Sequence, residues 1–137
     1  MPASDQCEPQ VIRAFEKAGW RVLQRQFIMR IRPDEFVYAD LQVQNTLTTQ
    51  AILIIEVKCF ASRRSELDDF YHAVGQYLTY RALLTLKDIS DELYLAVPED
   101  FYQRFFARSI VQLVINDAKI NIVRIDLARE EIAGWSS

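Results

Sequence analysis

Near the middle of the chain an apolar run, Ala51 to Val57, carries Glu56 inside it, and Lys58 stands just beyond. Burying either charge without a partner costs free energy, so chemistry is sought here first. The polar stretch from Gln44 to Gln50 joins two strand-like runs, 37–43 and 51–59, over so few residues that they must form an antiparallel hairpin. A hairpin centred near Thr48 pairs residues whose numbers sum to about 96, setting Asp40 opposite Glu56. Lys58, two residues on from Glu56, shares its face. Facing carboxylates repel one another, and a divalent cation removes the conflict. Two carboxylates completed by water and phosphate oxygens suit Mg or Mn. Lys58 beside them would orient or deprotonate a water, or balance charge on a phosphate. Without a metal, the same three residues make a salt-bridged sheet edge.

The same register carries Asp34, the aspartate of a literal Pro33-Asp34 pair, to a position near Ser62, past the end of the third strand and outside this group. A bulge would move that register by one. Arg63 and Arg64 follow the Glu56 strand, and Arg25, Arg30 and Arg32 lie close together upstream. These are the local cations available to a nucleic acid, and a solvated loop accounts for them equally well.

The elements that must hold this group follow from periodicity. Val11, Ile12, Phe15 and Ala18 recur at helical spacing, with Pro9 in the first turn and Gly19 where a helix stops, so the first helix runs from 5 or 7 to 18. Partial alternation over 20–31, closed by Pro33, predicts the first strand. Leu67, Phe70, Tyr71, Val74, Tyr77, Leu78 and Ala82 predict a long helix over 65–86, with Ser65 and Asp68 as a box-like cap. A fourth strand is expected over 92–97, a helix over 100–113, and short strands around Val114 or Ile115 and over 119–126, before a C-terminal segment with Ile132 and Trp135. The expected order is αβββαβ with a trailing αββ. Trp20 and Trp135 read as core or interface anchors, and Asp68 with Asp69 as a solvated helix face. Tyr77, Tyr80 and His72 read as packed or surface residues of their helix.

At 137 residues, half of them hydrophobic and with only three glycines and four prolines, the chain reads as one ordered domain, 1–137. A net charge of −3 excludes a global positive field that would draw it to nucleic acid. Cys7 and Cys59 have no CxxC spacing and, with the single His72, do not compose a zinc site. They are read as reduced thiols of a cytoplasmic protein. No apolar run approaches the roughly 18 residues of a membrane span, so no membrane partner is expected.

Asp40, the Glu56-Val57-Lys58 triplet and the αβββαβ order together resemble a PD-(D/E)XK nuclease-like domain. Gln76-Tyr77-Leu78-Thr79-Tyr80 is similar to the QxxxY pattern of RecB-type nucleases. That resemblance implies that Gln76 supports catalysis and that Tyr80 approaches the DNA backbone. Blocks along nearly the whole chain resemble the XisH family: MPASD at the start, Gly19-Trp20, EVKCF from Glu56, AVGQYLTYRALL from Ala73, ELYLAVPED from Glu92 and EEIAGW from Glu130. Members are named as cyanobacterial excision controlling factors of the fdxN element, which a site-specific recombinase removes during heterocyst development.

The resemblance implies an α/β (α+β) restriction-endonuclease-like fold, a mixed central sheet flanked by helices. It further implies a Mg- or Mn-dependent DNA endonuclease-like phosphodiesterase, with DNA, an XisI-like companion protein and a recombinase as partners. The alternative it leaves is a catalytically inactive accessory protein that binds the recombinase, DNA or the companion. Glu8 stands where many XisH-like sequences have histidine, whereas nucleases of the wider superfamily carry a helix-one glutamate. It is thus either a third acidic metal ligand or a first-turn glutamate that favours the helix dipole. The hairpin loop is shorter than the family's. Whether the chain forms a homo-oligomer is left open.

Overall fold

A computed structural model describes residues 6–60 and 65–136, and its strands join one six-stranded sheet. The strands β1 (Trp20–Arg32), β2 (Glu35–Asn45), β3 (Ile52–Val57), β4 (Glu92–Pro98), β5 (Ile122–Asp126) and β6 (Glu131–Ser136) lie side by side in chain order. β1, β2 and β3 form an antiparallel meander, β3, β4 and β5 run parallel, and β6 returns antiparallel. The parallel pairs need crossovers, supplied by α2 (Glu66–Leu86) and by a broken helical segment: α3 (Glu99–Phe101), a π-helical turn (Tyr102–Phe106) and α4 (Ser109–Ala118). A further helix, α1 (Glu8–Lys17), precedes the sheet. Among the described residues no helix is long and apolar enough to cross a membrane.

Local chemistry explains the boundaries. Pro9 sits in the first turn of α1, and Gly19, at φ 88°, takes the left-handed position just past its end. Pro33 and Asp34 make the turn between β1 and β2. The β2–β3 reversal turns on Asn45, whose side-chain oxygen accepts hydrogen bonds from Leu47 N at 2.9 Å and Thr48 N at 3.0 Å. Ser65 caps α2, its hydroxyl accepting from Asp68 N at 3.4 Å.

Both faces of the sheet are covered, and β3 shows why it had to be so apolar. Leu53, Ile55 and Val57 pack with Val11, Ala14 and Phe15 of α1. Ile54, between them in sequence, joins Phe70, Ala73, Tyr77 and Tyr80 of α2 on the other side. A strand buried on two faces reads as a continuous apolar run. The sheet also curls around α1: Trp20 of β1 and Trp135 of β6 meet at 5.8 Å over Phe15, which lies 5.9 and 6.1 Å from them.

Three expectations are corrected. The helix expected over 100–113 is interrupted after the π-helical turn and resumes as α4, so Val114 and Ile115 are helical and no strand forms there. Val111 and Ile115 are buried one turn apart beneath α4, a helical spacing that their β-branched composition disguised. The two trailing strands are instead β5, which starts at Ile122 rather than Lys119, and β6, which takes up the C-terminal segment. Finally, Cys7 and Cys59 are not separate thiols. The fold brings their Cα atoms to 5.8 Å and joins them as a disulfide across a sequence separation of 52, because the start of α1 crosses the end of β3.

Candidate functional site

The β2–β3 register is the one that matters for chemistry. Leu41 pairs with Ile55 and Gln42 with Ile54, so the numbers sum to 96 and continuing the ladder carries Asp40 to Glu56. The ladder ends there because Asp40 Oδ2, rather than a backbone carbonyl, accepts the hydrogen bond from Val57 N, at 2.7 Å. Lys58 N then crosses to Ala96 O of β4 at 2.9 Å. Glu56 shares the α2 face of the sheet with Ile54, beside Leu95 of β4.

Glu56 is 5% exposed, and among the described residues its Oε1 has no hydrogen-bond partner. Its Oε2 lies 3.8 Å from Lys58 Nζ, an ion pair at long range. Burial, reinforced by the negative charge of Asp40 and only partly offset by Lys58, pushes the Glu56 carboxyl up to about 9. The neutral acid is therefore the resting form near pH 7 in the absence of another cation.

α2 supplies the opposite wall. Tyr80 is buried, and its hydroxyl accepts a hydrogen bond from Gln76 Nε2 at 3.3 Å. Its phenol is pushed above the ordinary range by burial and then by the charges of Glu56 and Asp40, so those carboxylates lie within electrostatic reach. Gln76 Oε1 is a second buried oxygen with no partner. Asp40, Glu56, Lys58, Gln76 and Tyr80 thus gather at one end of β2 and β3 beneath α2.

The other candidates lie differently. Glu8 is 3% exposed, and Arg25 of β1 donates to its Oε2 at 2.6 Å, so a metal would have to compete with that ion pair. Arg30 donates to Pro33 O at 3.0 Å and lies over the Phe36 ring, while Arg32 pairs with Glu35 at 3.5 Å. Asp34 is exposed in the β1–β2 turn. Arg63 and Arg64 lie outside the described residues. Tyr77 is a core residue, donating to Leu93 O at 2.9 Å, and His72 is exposed.

Sequence reasoning missed how the chain leaves β3. Alternation continues past the ladder: Cys59 is bonded to Cys7 ahead of α1, while Phe60 stacks on Phe101 at 4.2 Å on the opposite face. Lys58 immediately precedes these two anchors. It also missed a groove of about 520 Å³ along α2 that includes Gln76 and Tyr80. The fourfold spacing of Tyr71, Gly75 and Thr79, and of His72, Gln76 and Tyr80, was the available signal.

An all-oxygen donor set with an orphaned, buried carboxylate oxygen fits a hard divalent cation. Asp40 and Glu56 are the residues that would hold one. Among the described residues no group of three or more His, Cys, Asp and Glu gathers for a metal, so water and substrate oxygens would complete the shell.

Comparison with known proteins agrees in both sequence and fold. No curated protein matches the chain. An XisH family protein from Nostoc punctiforme PCC 73102 is 26% identical, with a TM-score of 0.85 over 96% of this chain and 100% of that one. A fdxN element excision controlling factor protein from Anabaena variabilis is 24% identical, with a TM-score of 0.85 over 97% of this chain and 100% of that one. The family model described as XisH protein matches residues 1–133, and the chain belongs to the XisH family.

Proposed function

We propose that the chain is a PD-(D/E)XK-type, metal-dependent DNA endonuclease that acts in the excision of a DNA element. The observation that carries this reading is the buried Glu56 carboxyl, set by the hairpin register against Asp40 and within 3.8 Å of Lys58, with a second oxygen that has no hydrogen-bond partner among the described residues. A carboxylate pair beside a lysine at the rigid end of a two-faced strand is a costly arrangement for a merely structural role.

When bound, Mg or Mn would supply charge stabilisation to a phosphodiester and a more acidic water. The chain's own groups do the rest. Asp40 is fixed by Val57 N, so its carboxylate stays aimed at the site. Glu56, once ionised, adds a second negative charge from a side chain that is only 5% exposed. The Lys58 ammonium stabilises charge that builds on the phosphate oxygens, or takes part in orienting the attacking water. Gln76 and Tyr80 present an amide and a hydroxyl to the phosphate backbone from the opposite wall.

The Anabaena variabilis relative, a fdxN element excision controlling factor protein, supports setting this chemistry within DNA excision. A site-specific recombinase and an XisI-like companion are the partners we propose with it. A second reading, an inactive scaffold that binds those partners, is favoured by one observation: the third acidic residue, Glu8, is tied to Arg25.

The deciding experiment is cleavage of supercoiled and single-stranded DNA with Mg or Mn, with and without the companion chain. Cleavage is expected to vanish in Glu56→Ala and Lys58→Ala while both retain the circular-dichroism spectrum of the parent. Equal cleavage by parent and variants would remove the site from consideration, and none under any condition would leave the scaffold.

A further inference from the structure

The middle of α2 carries a residue that the helix itself does not want. Gly75 lies nine residues inside α2, exposed, and a Cβ built on it would meet nothing within 4 Å. Among the described residues no turn, positive φ or close neighbour calls for glycine there. Glycine at an exposed helix interior weakens the helix relative to alanine. Thr79, one turn on, is also a poor choice for this position, and its hydroxyl bonds back to Gly75 O at 2.8 Å. A chain that approaches the helix from outside would account for both.

Both residues line the open groove of about 520 Å³. Tyr71, Gly75 and Thr79 form one line along α2, and His72, Gln76 and Tyr80 form the next, so the groove is continuous with the candidate site. Gln76 Oε1 is buried there without a partner. Tyr71, 56% exposed, stands two turns before Thr79 in the first of these lines. Although the chain carries a net charge of −3, none of the groove's lining residues is a carboxylate.

We infer that this groove seats one nucleic-acid strand. Its sugar–phosphate backbone crosses α2 at Gly75, where the missing side chain allows close approach, and an unpaired base stacks on Tyr71. The inference rests on the nuclease reading and narrows its substrate to single-stranded or locally unpaired DNA, since only an unpaired base offers its face to an aromatic ring.

The test is fluorescence anisotropy of a labelled single-stranded oligonucleotide and of its duplex, with Ca in place of Mg so that binding is read without cleavage, alongside thermal unfolding of each variant. Gly75→Ala is expected to raise the unfolding midpoint and yet weaken single-strand binding, and Gly75→Leu to weaken it further, both with an unaltered fold. Tyr71→Ala should lower single-strand affinity by roughly tenfold, the range of one lost base–aromatic stack, and leave duplex affinity unchanged. A lower unfolding midpoint for Gly75→Ala would assign the glycine a structural role and overturn the inference. So would single-strand binding equal to the parent in both Gly75→Leu and Tyr71→Ala. If the parent itself binds neither DNA form, the nuclease reading fails first and takes this inference with it; binding by the parent with indifferent variants defeats the groove alone.

Discussion

Glu56 needs something to neutralise it, and the described residues supply less than one full counter-charge: Lys58 at 3.8 Å on one oxygen and no hydrogen-bond partner on the other. Its carboxyl is raised to about 9, chiefly by burial and then by Asp40, so a proton is what the folded protein holds. The unfolded chain gives that proton up near the ordinary carboxylate range. Stability from the buried neutral acid is therefore complete below about pH 4.5, declines as pH rises toward 9, and then levels once the folded carboxyl ionises too. Glu56→Gln keeps the shape of the neutral acid and cannot ionise. The variant should unfold at a higher temperature than the parent at pH 8, with the difference shrinking toward pH 5. Adding Mg should raise the parent's midpoint at pH 8 and leave the variant's unchanged; a parallel pH dependence in the two proteins would show that Glu56 is not the titrating group. The pairing of Asp40 with Glu56 was legible in the sequence because a short hairpin obeys simple arithmetic about its loop. Arg25 with Glu8 was not legible, because it joins elements whose relative placement only the packed sheet decides.

At the scale of elements, α2 does two jobs with different parts of its length. Its first turn anchors it, through the Ser65 cap and the ion pair of Glu66 with Arg104 at 2.8 Å, and its middle faces the site and the groove. Ser65→Ala removes one side-chain acceptor and should cost about 1 kcal/mol of unfolding free energy, read by urea denaturation. Gln76 and Tyr80 sit more than two turns downstream, beyond the reach of fraying, so Mg binding should be unaltered in that variant. A change in both quantities together would mean that the first turn positions the site directly. α2 was readable end to end because Ser65, the apolar spacing and the exposed acids all agreed. The segment from Glu99 to Ala118 was not, because its aromatic cluster is built by a π-helical turn. There Phe101 and Phe105 stack at 5.0 Å and Tyr102 and Phe106 at 5.2 Å, fourfold spacings that read as one continuous helix and do not announce where it breaks. β6 was missed for a different reason: Gly134 interrupts its six residues, and none of them is buried.

For the whole molecule, the disulfide is the feature that sequence separation hid and topology made. It ties the residue ahead of α1 to the residue after Lys58, enclosing α1, β1, β2 and β3 in one covalent loop. In a chain-entropy account, closing a loop of this length is worth about 4 kcal/mol. Reduction by a dithiol should therefore lower the unfolding midpoint by roughly 10 °C, and Cys59→Ser should match the reduced parent. Calorimetry with and without reductant checks this, and coincident curves would show that the bond adds nothing. Sequence periods supplied the helices and most of the strands, while the mixed sheet with helices on both faces was implied by the family resemblance. The curl of the sheet around α1 followed from neither, because it depends on Trp20 and Trp135 meeting from opposite edges. The covalent loop also sets how far the molecule can be stretched. Drawn out by its two ends under force, the oxidised protein cannot release the sequence between its cysteines, a separation of 52 positions, and at roughly 3.5 Å per residue its contour stops about 180 Å short of the reduced chain's.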